Sequence, residues 1–235
     1  MPAESPKPAH SQTLSRGIRV LEALADAGEP LTIDELAARL GLHRSVAYRL
    51  LRTLEDHRLV VRDARGRFVL GARLAALAAG VAHDLQAEAL PELTSAANEL
   101  AMTCFLAVLD RDEVVTLVSV EPRHAMASVA QRPGTKHPLG VGAPGKAILA
   151  ALPPSRRPAL DEARTRELGD AIARGYATSH DEVIAGLRSI AVPLPLHGQD
   201  PAAIAVVYVS SERDDEQIAA RLTAASRAVQ ASIGV

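Results

Sequence analysis

The segment from residue 32 to residue 70 places two short helical patterns in front of two short apolar runs. Thr32 and Glu35 have the three-residue spacing of a capping box, which marks the start of the first helix. Gly41 ends that helix, because a residue that tolerates positive φ suits a sharp turn. The second helix is predicted over residues 44–57 and carries an apolar stripe made of Val46, Ala47, Leu50, Leu51 and Leu54.

A β-hairpin is predicted directly after these helices. Residues 59–61 and 68–70 are apolar runs, and residues 63–66 read Asp-Ala-Arg-Gly, a turn-forming cluster. Three arginines lie at or beside the tip: Arg62, Arg65 and Arg67. Two helices at a tight turn followed by a hairpin are the layout of a winged helix-turn-helix.

The outward face of the second helix is polar and basic, and its members are Arg44, Ser45, Tyr48, Arg49 and Arg52. Residues near the N-terminal end of a helix in the major groove reach base edges, so Arg44 and Ser45 are predicted to read sequence. Tyr48 offers a hydroxyl to a phosphate or a ring to a thymine methyl. Arg49, Arg52 and the wing residues Arg65 and Arg67 are predicted to contact the DNA backbone.

A solvated basic helix face is the alternative interpretation of these arginines, and the adjoining basic hairpin favours DNA binding over it. The charge distribution agrees. The whole chain has a net charge of −2, but residues 1–75 carry +3 and the remainder carries −5. A basic segment attached to a mildly acidic body is typical of a DNA-reading domain joined to a domain with another task.

The flanking segments complete an N-terminal DNA-binding domain over residues 11–71. Residues 1–10 are predicted to be a disordered tail. Residues 11–27 form a first amphipathic helix with Leu14, Ile18, Leu21 and Leu24 at helical spacing. Residues 72–88 form an alanine-rich linker helix, which is either buried against a second subunit or an ordinary core helix.

Residues 89–235 are predicted to be a second domain of the α+β class, with an antiparallel sheet flanked by helices. Helices are expected from about Pro91 to Met102 and over residues 144–152, 167–174 and 214–232. Strands are expected over residues 104–109, 113–120, 125–130, 189–196 and 202–209.

Other chemistry finds little support in the sequence. The single cysteine, Cys104, excludes an intramolecular disulfide framework and lies in an apolar run, where we expect a buried small hydrophobe. Residues 140–147 resemble a phosphate-binding loop but have Ala147 in place of the required Ser or Thr. The eight histidines show no zinc spacing. Surface placement is the default expectation for His137 and His180, and the alternative is that they fall near a ligand pocket. No cofactor or metal is predicted, and the absence of an apolar signal segment or membrane span predicts a cytoplasmic protein.

Several separated motifs resemble the IclR family of bacterial transcriptional regulators over nearly the whole chain. They read GLHRSVAYRLLRTLEDHRLV, GRFVLGARLAALA, GAPGKAILA, RGYATSHDE and GLRSIAVPL. The resemblance implies an N-terminal winged helix, a linker helix and a C-terminal GAF-like domain that binds a small-molecule effector. It also implies a homodimer or a dimer of dimers on a palindromic DNA operator.

Positions that match the family pocket are the predicted effector-binding residues: Met126, Val129, Ala143, Pro144, Ser179, Leu187, Ser189, Tyr208 and Ser210. Their hydroxyls, together with backbone N–H groups at the start of the helix at Pro144, suit a small organic acid or a polar metabolite. The alternative is that these side chains only cap strands and turns.

The leading function is therefore a sequence-specific transcriptional regulator, without enzymatic activity, whose operator affinity responds to an effector. A metabolite-processing enzyme with a winged-helix protein-interaction module is the alternative. No nucleophile elbow, catalytic cysteine–histidine signature or paired-carboxylate motif supports that alternative.

Overall fold

The computed structural model describes residues 11–78, 82–124 and 129–234, with only the backbone described for His83. The chain divides into two compact units, Met1–Val81 and Ala82–Val235. The predicted tail over residues 1–10 and most of the strand predicted over residues 125–130 lie outside the described residues.

The first unit has the predicted winged helix-turn-helix. Its elements are α1 (Gln12–Ala27), α2 (Ile33–Leu40), α3 (Arg44–Asp56), β1 (Val60–Arg62), β2 (Phe68–Leu70) and α4 (Arg73–Ala78). The strands β1 and β2 pair antiparallel, and Leu31 adds a bridge to Phe68 that ties the entry to α2 onto the wing.

Hydrogen bonds at the start of α2 confirm the predicted capping box. The Thr32 hydroxyl accepts the N–H of Glu35 at 3.3 Å, and the Glu35 carboxylate accepts the N–H of Thr32 at 2.7 Å. The Thr32 backbone N–H stabilises the charged carboxylate and lowers the pKa of Glu35. Gly41 ends the helix at a φ of +61°, so the sharp turn into α3 occupies a conformation in which glycine is unstrained.

The core of this unit confirms the stripe of α3 and corrects the stripe of α1. Leu50, Leu51 and Leu54 of α3 are buried. In α1, Leu14 is 64% exposed and Ile18 is 47% exposed, whereas Val20 and Leu24 are buried. The face of α1 that packs against α2, α3 and the wing therefore includes Val20 and Leu24 and leaves Leu14 and Ile18 exposed.

The two helices predicted on either side of residue 88 are also corrected. The first, α4, ends at Ala78, and the next, α5, runs from His83 to Leu100 with Pro91 inside it. Proline cannot donate the helical hydrogen bond. It is tolerated here because Pro91 and Ala87 face solvent while the buried stripe of α5 continues through Ala89, Leu93, Ala96, Ala97 and Leu100.

In its described residues, the second unit has one antiparallel sheet of six strands in the order β5-β4-β3-β8-β7-β6. The strands are β3 (Thr103–Asp110), β4 (Glu113–Val120), β5 (Lys136–Pro138), β6 (Ala177–His180), β7 (Arg188–Leu194) and β8 (Ala202–Tyr208). The helices besides α5 are α6 (Gly142–Ala151), α7 (Glu162–Arg174) and α8 (Asp215–Ser232), with a 3-10 turn at Pro154–Arg156. The short strands β5 and β6 form the two edges of the sheet and were not predicted.

Helices cover both faces of this sheet. Alternate residues of β7 and β8 separate cleanly: Ile190 and Val206 pack in the cluster formed with α5 and α8, and Ala191 and Val207 pack in the cluster formed with α6. Cys104 lies in the first cluster, and burial raises the pKa of its thiol to about 12, so the predicted role as a small buried hydrophobe is confirmed. The α+β class and the sheet flanked by helices are as predicted.

Replacing Thr32 with alanine removes one side of the capping box at α2. We expect a loss of about 1 kcal/mol, with roughly fivefold faster amide hydrogen exchange over residues 33–40 of the full chain. Thr53→Ala is the matched control, because the exposed Thr53 hydroxyl only donates back to the Arg49 carbonyl and alanine is a better helix former. Equal effects of the two substitutions would contradict the role of the cap.

Candidate nucleic-acid interface and ligand cleft

The N-terminal end of α3 is held by side chains from the preceding turn. His43 is the N-cap, and its Nδ1 atom accepts the backbone N–H of Ser45 at 3.3 Å. The Ser45 hydroxyl lies 2.8 Å from the same nitrogen. Arg44 forms an exposed ion pair with Asp34 of α2. The first turn of α3 therefore presents polar groups whose positions are set by neighbours in the chain.

The wing is organised around Asp63. One carboxylate oxygen accepts the backbone N–H groups of Arg65 at 2.8 Å and Arg67 at 2.9 Å, and the other oxygen accepts Nε of Arg67 at 3.0 Å. The N–H of Arg67 is the main reason why the pKa of Asp63 lies below its usual value. This carboxylate shapes the wing tip and leaves the Arg65 guanidinium exposed beside it.

Arg62 at the base of the wing has a structural role. Its guanidinium donates to the Glu55 carboxylate of α3 at 2.7 Å and lies 4.5 Å from the centre of the Phe68 ring. The hydrogen bond to Glu55 raises the pKa of Arg62. The pair fixes the wing against α3, so the gap between these two elements has a defined width.

Between α3 and the wing lies an open groove of about 970 Å³. Its lining includes six of the seven predicted DNA-binding residues, namely Arg44, Ser45, Tyr48, Arg49, Arg65 and Arg67. The seventh, Arg52, is exposed on the next turn of α3 and does not line the groove. The groove also contains His43 and Asp34, which sequence reasoning missed, although His43 directly precedes the predicted helix.

In the second unit, strand register brings the predicted serines together. Ser179 of β6 is paired with Ser189 of β7, and Ser189 is paired with Val207 of β8. Paired residues point to the same face of a sheet, which here is the face covered by α6. Tyr208, one residue further along β8, belongs to the cluster on the opposite face with α5 and α8.

The start of α6 is closed by the chain's own side chains. The N–H of Gly142 donates to a Glu182 carboxylate oxygen at 3.0 Å, and the N–H of Ala143 donates to the Ser179 hydroxyl at 3.0 Å. These are the N–H groups that the sequence suggested for an effector carboxylate. In this structure an internal carboxylate, Glu182, already holds that position.

Lys146 of α6 strengthens the same connection. Its Nζ lies 2.6 Å from Glu182 and 2.8 Å from Glu167 of α7, and only 12% of its side chain is exposed. Burial lowers the pKa of Lys146, but the hydrogen bonds to the two carboxylates outweigh burial and raise it overall. Lys146 therefore joins α6 to α7 and to the loop 181–186, a role unlike that of a phosphate-loop lysine.

The loop 181–186 lies across the start of α6. Gly142 has a φ of +71°, and a Cβ atom at this position would lie 2.9 Å from Cγ2 of Val183. Val183 and Ile184 are each 49% exposed. The loop is therefore held mainly by Glu182, while its apolar side chains are only partly packed.

Two adjoining cavities share Ser179, Arg188 and Ser189. The narrow one, about 40 Å³, is lined by residues 142–144 of α6, the loop 181–186, Phe105, His137 and Val207 among others. The larger one, about 300 Å³, is strongly charged and is lined by Lys146, Glu167, Asp170, Arg174, Glu182 and Asp215 among others. We refer to the two together as the ligand cleft.

The predicted effector-binding residues divide into three groups. Ala143, Pro144, Ser179, Leu187 and Ser189 line the narrow cavity, and Tyr208 lines only the larger one. Val129 and Ser210 line neither: the Val129 carbonyl accepts the Thr103 hydroxyl at 2.7 Å, and Ser210 is exposed after β8 ends. Met126 lies outside the described residues.

Sequence reasoning missed the apolar wall of the cleft and gave His137 only as a possible neighbour of the pocket. Phe105 and Val207 face α6 because of strand alternation, a signal that the register of β3, β7 and β8 would have supplied. Surface placement was wrong for His137, which is buried in β5 with a pKa lowered mainly by burial. His180 is exposed, as expected, at the rim of the larger cavity.

None of the helices in the described ranges combines the length and the apolar character that a bilayer-spanning segment needs.

Both units match known domains of one protein family. Residues 13–64 match the model of the IclR helix-turn-helix domain, and residues 78–233 match that of the bacterial transcriptional regulator IclR C-terminal domain. The HTH-type transcriptional regulator Rv1719 of Mycobacterium tuberculosis is 36% identical over 147 residues, which are 62% of this chain and 56% of that protein.

Two solved structures are similar over nearly the whole chain. The IclR transcriptional regulator of Alicyclobacillus acidocaldarius has a TM-score of 0.83 and 28% identity, covering 95% of this chain and 99% of its own. An IclR homologue from Microbacterium hydrocarbonoxydans, complexed with 4-hydroxybenzoate, has a TM-score of 0.81 and 26% identity with the same coverage. The chain belongs to the IclR family of bacterial transcriptional regulators and carries the family's DNA-binding helix-turn-helix domain at its N-terminal end.

Proposed function

We propose that this regulator reads a palindromic operator through the groove between α3 and the wing, and that a small organic acid in the ligand cleft modulates its operator affinity. The convergence of Arg44, Ser45, Tyr48, Arg49, Arg65 and Arg67 on one groove carries the DNA assignment. The related proteins described above are transcriptional regulators, and no observation in the described residues favours the enzymatic alternative.

In this proposal α3 enters the major groove with its N-terminal turn nearest the bases. Arg44 and Ser45 then face base edges, whereas Arg49, Arg52, Arg65 and Arg67 face phosphates. Asp34 holds Arg44 and Asp63 holds Arg67 in the free protein. Each carboxylate weakens the attraction of its arginine for the phosphates of any DNA. Binding is therefore favoured at an operator, where base contacts add to the affinity.

A palindromic operator requires two copies of the chain. Support comes from apolar surface in the first unit: Leu14 and Ile18 of α1 are exposed, Leu77 of α4 is 59% exposed, and α4 has no buried residue. In the described residues 73–78, this exposure favours the interpretation of a linker helix covered by a second subunit over that of a core helix. We propose that a second copy covers these residues, in a dimer or a dimer of dimers.

The ligand cleft is proposed as the effector site because it combines hydroxyls, an apolar wall and a buried cation. The related structure with bound 4-hydroxybenzoate supports an organic acid as the ligand class. An acid in the ligand cleft competes with Glu182 for the N–H of Gly142, which lines the narrow cavity, and for Lys146, which lines the larger one. Displacing Glu182 frees the loop 181–186, which gives the two states that an effector needs in order to act at a distance.

The coupling free energy between effector binding and DNA binding is typically about 1–3 kcal/mol, or roughly 5–150-fold in DNA affinity.

Arg44→Ala and Arg49→Ala test the division between base-reading and phosphate-contacting residues. Arg44→Ala should lower the affinity ratio of selected to mismatched duplexes by about tenfold, since a paired arginine–guanine contact contributes about 1–3 kcal/mol of discrimination. Arg49→Ala should weaken all duplexes alike and flatten the salt dependence of binding. Fluorescence anisotropy at several salt concentrations measures both effects. Unchanged discrimination in Arg44→Ala would refute the base-reading assignment.

Ser189→Leu tests the position of the effector. The larger side chain fills the space beside Ser179 and Val207, so 4-hydroxybenzoate and benzoate should no longer change the melting temperature or the DNA affinity. DNA binding without acid should stay within about twofold of wild type, because additivity between distant sites is usually good. Loss of DNA binding together with a retained acid response would contradict the proposal.

Glu182→Gln tests the competition between effector and internal carboxylate. Glutamine is neutral and holds Lys146 and the Gly142 N–H less strongly, so carboxylates should bind roughly tenfold more tightly in calorimetric titrations with the same two acids. Glu167→Gln is the matched control, because Glu167 contacts Lys146 but not the start of α6. Weaker binding by Glu182→Gln, or an equal gain in the control, would show that Glu182 does not compete with the acid.

A further inference from the structure

We propose that His43 contacts a base of the operator, donating a hydrogen bond from Nε2, and that the same ring converts the Ser45 hydroxyl into a hydrogen-bond acceptor. The inference rests on the proposed function of the DNA groove. It adds a specificity-determining residue, His43, and assigns that residue the role of hydrogen-bond donor.

The tautomer of His43 follows from its hydrogen bonds. Its Nδ1 accepts the backbone N–H of Ser45. A backbone N–H can only donate a hydrogen bond, so the direction of this bond is unambiguous. A ring nitrogen that accepts carries no hydrogen of its own, so the neutral imidazole carries its hydrogen at Nε2. His43 therefore offers the surroundings a donor at the outer edge of the ring.

The polarity of Ser45 follows from the same nitrogen. The Ser45 oxygen lies 2.8 Å from Nδ1 of His43, and because Nδ1 is an acceptor, the hydroxyl donates its single hydrogen to it. Only the lone pairs of the oxygen remain for another partner. An isolated serine is ambiguous between donor and acceptor, whereas this one is an acceptor.

Both side chains are exposed and line the groove, beside Arg44 at the N-terminal end of α3. That end of a recognition helix is where side chains reach base edges in the major groove. A donor at Nε2 fits guanine N7 or O6, thymine O4 and adenine N7, and it is mismatched to the amino group of cytosine. The Ser45 oxygen favours the amino group of adenine or cytosine.

Capping alone does not account for a histidine at this position. Serine, threonine, asparagine and aspartate are the preferred N-caps, and each supplies the acceptor that the helix needs. The imidazole supplies, in addition, a second polar atom that the helix leaves unused. This difference makes the two roles separable by experiment, because serine in place of histidine retains the cap and removes the Nε2 donor.

The test uses the full chain and duplexes that the wild type selects from a random pool. Anisotropy titrations compare each selected duplex with its single-base replacements, for wild type, His43→Ser and the matched control His57→Ser, an exposed histidine at the other end of α3 outside the groove. Wild type should prefer guanine or thymine over cytosine at one position of each half-site by about fivefold, the effect of one hydrogen bond.

In His43→Ser that preference should fall below about twofold, and the preference at the position read by Ser45 should weaken as well, because Nδ1 no longer fixes the Ser45 hydroxyl. The remaining positions should be unchanged. His57→Ser should match wild type, and melting temperatures of the variants should agree to show that the cap survives. Ser45→Ala should remove a preference for adenine or cytosine at a different position.

Each other outcome overturns the assignment. Equal weakening of all duplexes by His43→Ser would mean a phosphate contact, and no change would mean a cap alone. Loss of a preference for cytosine would mean that the tautomer is reversed. If the wild type selects no sequence at all, the proposed DNA function itself fails, and this inference fails with it.

Discussion

The first backbone N–H groups of a helix have no partner within that helix, and each must find one elsewhere. At the starts of α3 and α6, the side chains that supply those partners also line the DNA groove and the ligand cleft. Thr32 and Glu35 close α2, His43 closes α3 at the DNA groove, and Ser179 with Glu182 closes α6 at the ligand cleft. The capping residues at the starts of α3 and α6 therefore both stabilise their helices and lie in the proposed recognition sites.

The two units use charge differently. Around α3 and the wing, carboxylates hold individual arginines in place: Asp34 holds Arg44, Glu55 holds Arg62, and Asp63 holds Arg67. The Asp34–Arg44 pair is exposed and contributes little to stability, whereas the other two pairs are partly buried. Each carboxylate orients a planar guanidinium. In the second unit Lys146 is mostly buried between Glu167 and Glu182, where removing one partner has a larger effect.

A carboxylate at the start of α6 also gives the second unit a physical basis for two states. While Glu182 occupies the position, the loop 181–186 lies over a cavity of about 40 Å³ with Val183 and Ile184 only partly packed. A loop held mainly by one charged side chain and by few apolar contacts has a low free energy of opening. This property suits a segment that an acidic ligand is proposed to displace.

The sequence by itself determined the local elements of this protein. The capping box at Thr32, the turn at Gly41, the stripe of α3, the strand at Glu113–Val120 and the final helix all follow from nearest-neighbour chemistry and periodicity, and the structure has each of them. Family motifs identified the class of the protein because several of them occur in a fixed order along the chain.

Only the tertiary structure decided which distant groups meet. Gly142 and Glu182 are forty residues apart, and their contact, which places a carboxylate in the expected ligand position, depends on how the loop after β6 crosses α6. Val207 lines the narrow cavity, whereas the predicted residue Tyr208 does not. This difference depends on strand register, because neighbouring residues of a strand point to opposite faces of the sheet. The exposed Leu14 and the buried Val20 of α1 likewise depend on which elements pack against the helix, and periodicity within one helix does not contain that information.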